Sequence, residues 1–157
     1  MKTIRQLTIV FAVIFATITQ AQPYVAVGSS YAKIPHTNKF TPNGIITAGV
    51  VSGIFDVSIN VEIVELSPNY LSYSGQVMVK PFEELYGIEL LIGGKFGRVL
   101  RDNAAYRYYG VTGELRYGKK FFVSLVGNYD YRADIKYWWG KDYMVFTSHL
   151  KIGYKFN

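Results

Sequence analysis

The chain contains no cysteine and only two histidines, and charged residues make up 18% of it. Without disulfides, an exported domain of this size needs a good core, a bound partner or a closed ladder of backbone hydrogen bonds. No Cys/His spacing typical of a metal site occurs, and no phosphate-binding glycine loop stands in a suitable context. We therefore expect no metal and no cofactor.

Long hydrophobic runs are also missing, apart from one short run at the start of the chain. Lys2 and Arg5 precede an uncharged apolar stretch over 7–18, which is shorter than the about 20 residues of a helical membrane span. Small residues follow at Thr19 and Ala21, as a signal peptidase requires. We predict a cleaved signal peptide over 1–21 and one mature domain over 22–157.

Aromatic residues and glycine are abundant instead. Aromatics form 17% of the chain, with 14 tyrosines, and most of the 15 glycines lie inside segments of alternating apolar residues. Barrel strands use interior glycine at bends and close contacts, whereas strands of soluble proteins avoid it. Removal of the signal peptide lowers the net charge from +6 to about +4, a mild excess that suits anionic lipid and is weak grounds for a nucleic-acid partner.

Strand-length segments recur along the mature chain, and no helical period competes with them. Each has about the ten residues that a tilted membrane strand requires. The predicted segments are 23–33, 44–53, 57–66, 70–80, 85–97, 105–117, 120–132 and 143–156.

The breaks between these segments alternate in character. Those at 34–43, 98–104 and 133–142 are longer, more charged and more aromatic than those at 54–56, 81–84 and 118–119, and the short break at 67–69 departs from the rule. Short periplasmic turns that alternate with longer outer loops are typical of a membrane barrel with both termini in the periplasm. The sequence predicts an all-β fold, an eight-stranded antiparallel up-and-down transmembrane β-barrel.

Aromatic spacing indicates which face of the strands meets lipid. Tyr86 and Phe96, Phe121 and Tyr131, and Phe146 and Phe156 are each ten residues apart on an apolar face. Ten tilted residues climb about 25 Å, the height of an apolar band between two aromatic girdles. A soluble, secreted lipocalin-like barrel shows the same alternation with the apolar face inward, and that alternative stays open.

The opposite, polar face is expected to fill the interior. Eight strands leave room for side chains and little else, so these residues should interlock as paired charges and hydrogen bonds, without an open pore. The predicted interior residues are Glu62, Gln76, Lys80, Glu89, Lys95, Glu114, Arg116, Asn128, Asp130, Arg132, His149, Lys151 and Lys155.

Over the whole mature chain, this pattern resembles the small outer-membrane β-barrel proteins of the OmpA/OmpX-like superfamily. The local marker is the final strand, in which Tyr154 and Phe156 lie near the end and Asn157 follows, a departure from the family's terminal aromatic residue. The resemblance implies a Gram-negative outer-membrane location and insertion by the barrel-insertion machinery. The same barrel carries adhesins, resistance factors, enzymes and structural proteins, so it is a poor guide to function.

Similar eight-stranded barrels include lipid A-modifying enzymes, which need a serine near a histidine. His36 falls in the first long loop, and His149 falls on the polar face of strand 8, where we expect a hydrogen bond to a glutamate or tyrosine. Ser148 is adjacent to His149 but points the other way. We therefore predict no catalytic residues, with a lipid A-modifying activity as the alternative.

The outer loops carry the remaining candidates. The fourth loop contains both tryptophans of the chain beside basic residues, and the third adds arginines that suit lipid A phosphates. These residues predict contact with lipopolysaccharide or a host surface, or else an interfacial anchor at the headgroup level. The candidate surface residues are Arg98, Arg101, Lys136, Tyr137, Trp138, Trp139 and Lys141.

Overall fold

The computed structural model describes residues 21–33, 40–63, 70–101, 103–140 and 144–156. Within them the chain forms a closed barrel in which every strand pairs antiparallel with its sequence neighbours, so the predicted fold class is confirmed. The strands are β1 (Gln22–Lys33), β2 (Phe40–Ser52), β3 (Phe55–Ile63), β4 (Tyr70–Val79), β5 (Ile88–Arg101), β6 (Ala104–Tyr117), β7 (Phe121–Arg132) and β8 (Met144–Lys155).

The pairing of β1 with β8 closes the barrel. Val25 lies opposite Tyr154 and Val27 opposite Ile152, and the other side of β1 pairs with β2, where Val25 meets Ala48. The sequence left the register of these first two strands open. Because each strand has two neighbours, the sheet presents no unpaired edge to other chains.

The barrel has two distinct ends. The turn end holds both ends of the described chain and the β2–β3, β4–β5 and β6–β7 connections, and the loop end holds the other four connections. The predicted signal peptide lies outside the described residues, apart from Ala21. The same is true of most of the first and second predicted loops.

Side chains alternate strictly between the two faces of the wall. On β7, Phe121 is 72% exposed and its neighbour Phe122 is 2% exposed. On β3, Ile59 points outward while Ser58 and Asn60 are buried inside. The outward face is thus apolar and the inward face largely polar, as the sequence predicts for strands 5 to 8.

The third predicted loop, at 98–104, is wrong because the two flanking strands extend into it. Strand β5 continues through Arg101 and β6 begins at Ala104, so that Arg98 and Arg101 lie in a strand and only positions 102 and 103 connect the two. The run of charges suggested a loop, but charged side chains do not interrupt a ladder whose backbone groups remain paired. Arg98 points outward and Arg101 inward, because successive side chains alternate.

Strand β5 also begins later than predicted. Leu85 and Ile88 exchange two backbone hydrogen bonds around a two-residue turn in which Tyr86 and Gly87 both have positive φ, 52° and 81°. Such a turn requires this conformation at both central positions. Tyr86 therefore lies in the turn, 89% exposed, and does not mark the aromatic girdle on β5 as expected.

One short helix, α1 (Ala133–Trp139), follows β7, where the sequence predicted a loop. Seven residues are too few to display a helical period in the sequence. Gly140 ends the helix in a left-handed conformation with φ of 69°, and its N–H donates to the Lys136 carbonyl. No helix within the described ranges is long and apolar enough to cross a membrane.

Two adjacent glycines on β5 give a matched test of how closely the strands pack. A Cβ at Gly93 would collide with the Val77 carbonyl oxygen and lie 2.6 Å from the Met78 Cα, whereas at Gly94 the nearest atom is 3.6 Å away. We expect Gly93→Ala to lower the free energy of unfolding by about 1–3 kcal/mol or more and Gly94→Ala to be tolerated. Urea unfolding in detergent measures both, and equal losses would contradict this packing.

Candidate functional site

The inward face of the barrel carries ion pairs in several layers between its two ends. At the turn end, Lys155 Nζ lies 3.0 Å from Glu89 Oε2, and Lys80 Nζ lies 3.7 Å from Glu89 Oε1. One carboxylate thus serves two lysines, one at the end of β8 and one directly after β4. Lys80 is the more exposed of the two, since it follows the last residue of β4.

Arg116 is the centre of the next layer. Its guanidinium lies 2.9 Å from Asp56 and 2.8 Å from Glu114, and all three side chains are fully buried. The rings of Tyr24 and Phe122 lie with their centroids 4.8 Å from the guanidinium carbon. Planar arginine suits this position because it can pair with carboxylates and stack on rings at the same time.

Further contacts tie this layer to β1 and β8. Tyr24 donates a hydrogen bond of 2.8 Å to Asp56, and Lys151 Nζ lies 3.3 Å from Glu114 Oε2. Each buried acid therefore has more than one partner. Such sharing offsets the cost of removing charges from water.

The middle of the barrel is crossed by neutral and mixed hydrogen bonds. Thr47 donates to Asn60, which in turn donates to Gln76, so that β2, β3 and β4 are linked side by side. Towards the loop end, Glu62 accepts bonds of 2.7 Å from Ser30 and 2.8 Å from Asn43.

The layer around Glu62 also holds a basic residue and the one described histidine. Lys95 pairs with Asp130 at 2.6 Å. His149 Nε2 lies 3.4 Å from Thr147 Oγ1, and its Nδ1 has no hydrogen-bond partner among the described residues, so the expected bond to a glutamate or tyrosine is wrong. A cavity of about 10 Å³ lies among Glu62, Lys95 and His149, which is roughly the space of one water molecule.

At the loop end, Arg132 holds helix α1 over the mouth of the barrel. Its guanidinium donates to Asp134 at 2.8 and 2.9 Å and to the Tyr70 hydroxyl at 2.6 Å, and Tyr70 donates to Asp134 at 2.9 Å. Asp134 and Ile135, both in α1, are buried. This triangle joins β4, β7 and α1.

The nine residues that the sequence proposed for the interior network all face inward. Among the described residues, the ion pairs and hydrogen bonds that they make fall into separate layers. The proposed residues are Glu62, Glu89, Lys95, Glu114, Arg116, Asp130, Arg132, His149 and Lys151.

The sequence did not predict four residues that bind to the charged side chains of these layers. Asp56 and Asp134 were placed in connections, and Tyr24 and Tyr70 were not considered as polar partners. The period-two series Ser58, Asn60 and Glu62, extended back by one step, would have found Asp56. No comparable pattern marks Asp134, which is brought to Arg132 by a single turn of helix.

The candidate surface residues whose side chains the structure describes point in different directions. Lys136 and Tyr137 are exposed on α1, where the Tyr137 ring lies 5.4 Å from that of Tyr106. Arg101 points into the mouth, 5.0 Å from the Tyr70 ring centroid, and Arg98 points outward from the wall. Lys141 and the side chains of Trp138 and Trp139 lie outside the described residues.

The described residues show little that resembles a catalytic or metal site. Ser148 faces outward while His149 faces inward, as the sequence predicted, and His36 lies outside the described residues. Within the described part of the chain, no three His, Asp or Glu residues are grouped so that they could hold a metal ion.

Replacing Arg116 tests the importance of the buried ion pairs. Arg116→Met leaves Asp56 and Glu114 with less compensation, and we expect a loss of about 3–5 kcal/mol of unfolding free energy. Lys119→Met, at an exposed position in the turn directly after β6, is the control and should change it by about 0.5 kcal/mol or less. Urea titration in detergent compares the two, and similar values would contradict the assigned importance of Arg116.

The lowered pKa of the Asp134 carboxyl should make the docking of helix α1 depend on pH. Burial raises the pKa of this carboxyl, but the hydrogen bonds and charge of Arg132 and the bond from Tyr70 outweigh burial and hold the pKa below its ordinary value. A lowered pKa means that docking is favoured above the ordinary aspartate pKa of about 3.9. This stabilisation is lost as the pH falls through the lowered value.

Tryptophan fluorescence can follow this transition, because both tryptophans of the chain lie in α1. We expect the emission to shift in acid below about pH 4, while Asp134→Asn shows an altered emission at neutral pH and no such step. An identical step in wild type and variant would assign the titration to another group.

Comparison with known proteins bears on the fold. No protein-family model matches the sequence, and no curated protein matches it either. The structure is similar to the crystal structure of Neisserial surface protein A (NspA), with a TM-score of 0.52, 14% identity and coverage of 86% of this chain and 97% of that chain. It is also similar to a de novo designed transmembrane β-barrel, with a TM-score of 0.49, 17% identity and coverage of 86% and 95%. The likeness to NspA confirms, at the level of fold, the predicted resemblance to small outer-membrane barrels.

Proposed function

We propose that the protein is a small integral outer-membrane β-barrel with a filled polar interior, which acts structurally or through surface contacts at its loop end and is neither an enzyme nor an open pore. The observation that carries this proposal is the reversed polarity of the wall. Large apolar side chains such as Ile59, Val111 and Ile152 are at least 60% exposed, while charged residues such as Arg116 are buried. In water this arrangement would be unstable, whereas in a bilayer it is the expected one.

Aromatic side chains on the outward face support a membrane position. Near the turn end they include Tyr117, Phe121 and Phe156, and near the loop end Tyr109 and Phe146. Between these levels the exposed side chains of β7 are aliphatic, as in an apolar band flanked by two girdles. The exposed aromatic Phe156, just after β8, is also consistent with recognition by the barrel-insertion machinery.

The inward face supports the filled interior. A soluble barrel that carries a ligand needs an apolar cavity. Here the pair of Arg116 and Asp56 joins β6 to β3 across the lumen, and Lys95 pairs with Asp130 on the inward face. The small volume near His149 leaves no room for a continuous water path in that layer. The outward position of Ser148 argues against the serine–histidine chemistry of the lipid A-modifying alternative.

The loop end supplies the surface that could meet a partner. Lys136 and Tyr137 are exposed there on a helix that Arg132 and Asp134 hold in place. A rigid element that carries exposed basic and aromatic side chains is suited to lipopolysaccharide or a host surface. We include the cleaved signal peptide over 1–21 in this proposal as the route of export.

Cell fractionation combined with gel electrophoresis tests the proposal. We expect the protein in the outer-membrane fraction, with a detergent-extracted band that migrates differently before and after heating. Mass spectrometry of lipid A from cells with and without the protein should give the same species. Recovery of the protein in the soluble fraction would favour the ligand-carrying barrel, and an altered lipid A would favour the enzyme.

A charge placed on the outward face tests the contact with lipid. Ile92 points outward in β5, and we expect Ile92→Lys to lower the free energy of unfolding in lipid vesicles by about 2–4 kcal/mol. Ile54→Lys, at an exposed position in the β2–β3 turn, is the matched control and should have little effect. Equal effects of the two changes would contradict a lipid-facing wall at Ile92.

A further inference from the structure

We propose that the outward face of β4, β5 and β6 binds a phosphorylated, multiply acylated lipid of the outer leaflet, with lipid A as the representative of that class. Arg98 and Arg107 would hold a phosphate group, and an apolar trough beside them would hold acyl chains. The lipid site rests on the proposed function, because the outward face meets lipid only if the barrel lies in the outer membrane. Neither the trough nor the pairing of these two arginines was expected from the sequence.

Arg98 and Arg107 are directly opposite each other on β5 and β6. Both side chains are exposed on the outer face near the loop end. No carboxylate within the described residues forms an ion pair with either of them. Like charges directly opposite on a sheet destabilise it, and a bound anion between the two guanidinium groups would relieve that repulsion.

Guanidinium groups are suited to phosphate in particular. Each presents a planar fork of donors that can bind two phosphate oxygens at once, and two forks on neighbouring strands converge on one anion. Tyr73 lies beside Arg98 on β4 and extends the row by a hydroxyl group. The row Tyr73–Arg98–Arg107 is therefore polar and lies next to the exposed aromatic side chains of the same strands.

Next to this row the outer surface of the wall has a depression, which we call the trough. This trough of about 530 Å³ runs over the outer face, within the ~300–1,000 Å³ of small-molecule sites. Gly75 and Gly94 supply its floor, since a Cβ at Gly75 would meet no atom within 4 Å and one at Gly94 none closer than 3.6 Å. Its walls include Val77, Phe96, Tyr109 and Val111.

The arginine pair and the trough are continuous. Phe96 and Tyr109, which line the trough, are themselves opposite each other, and each lies two residues from an arginine on the same face. Two residues correspond to roughly 7 Å along a strand. The site thus places a phosphate at the level of the loop-end aromatic girdle, with apolar space below it in the bilayer.

The same geometry selects among possible occupants. A second copy of the chain packed here about a two-fold axis would bring four arginines together, which repel one another. The lining of the trough extends from Gly75 on β4 to Met144 on β8 and is wider than one extended chain requires. A lipid with a phosphate group and several chains fits both features.

Lipid binding by the purified barrel in detergent micelles tests this site. Native mass spectrometry should show one retained diphosphorylated lipid A, and Arg98→Gln with Arg107→Gln should weaken its binding at least about tenfold. The matched control is Lys119→Gln with Lys120→Gln, which removes the same charge from exposed positions at the turn end and should leave binding unchanged.

The trough is tested separately by filling it. Gly75→Leu and Gly94→Leu should each weaken binding while both arginines are intact. Ala48→Leu adds a similar volume on the outward face of β2, away from the trough, and should have no effect. Phosphatidylglycerol and dephosphorylated lipid A serve as probes that lack the additional chains or the phosphate, and both should bind more weakly.

The outcomes separate this inference from the proposed function. If the barrel inserts into vesicles but binds lipid A equally well with and without the two arginines, the phosphate site is wrong while the membrane barrel stands. If phosphatidylglycerol binds as tightly as lipid A, the assigned lipid class is wrong. If the double variant fails to fold, the single changes Arg98→Gln and Arg107→Gln should each give an intermediate loss, and wild-type affinity in both would overturn the site.

Discussion

Pairing of β1 with β8 is the constraint on which the rest of the structure depends. It turns eight strands into a closed ladder in which Val25 and Tyr154 meet across the seam, so that backbone groups in the wall are satisfied within the barrel. A chain without disulfides can then place apolar side chains outward, because the fold does not rely on an apolar core alone. The resulting lumen is small, so the polar side chains that point into it pair with one another.

That lumen explains the arrangement of charge. Arg116 with Asp56, Lys95 with Asp130, and Lys151 with Glu114 each join residues of two different strands. Each pair forms only when the strands have their observed register. The inward face therefore specifies the register, while the outward face specifies the surroundings of the barrel. At the loop end, the same kind of contact fixes helix α1 over the mouth.

Much of this architecture could be predicted, because alternation with a period of two is a local property of the sequence. The number of strands, the inward position of residues such as Glu114 and Lys151, and the outward position of Ser148 follow from it. Partners could not be predicted, since they depend on the register between distant strands. Arg98 and Arg107 became neighbours through pairing across a connection that the sequence suggested was a long loop. Tyr70 contacts Asp134 because of helix α1, which is too short to show a helical period in the sequence.

The central claim is that the odd-numbered outward residues of β7 face lipid. Because the chain has no cysteine, single cysteines at Val123, Ser124, Leu125 and Val126 can carry spin labels in reconstituted vesicles. The structure predicts that lipid-soluble oxygen relaxes the labels at Val123 and Leu125 strongly, while those at Ser124 and Val126 are shielded from it. Strong relaxation of Val123 and Leu125 by a water-soluble nickel complex would contradict a lipid-facing wall.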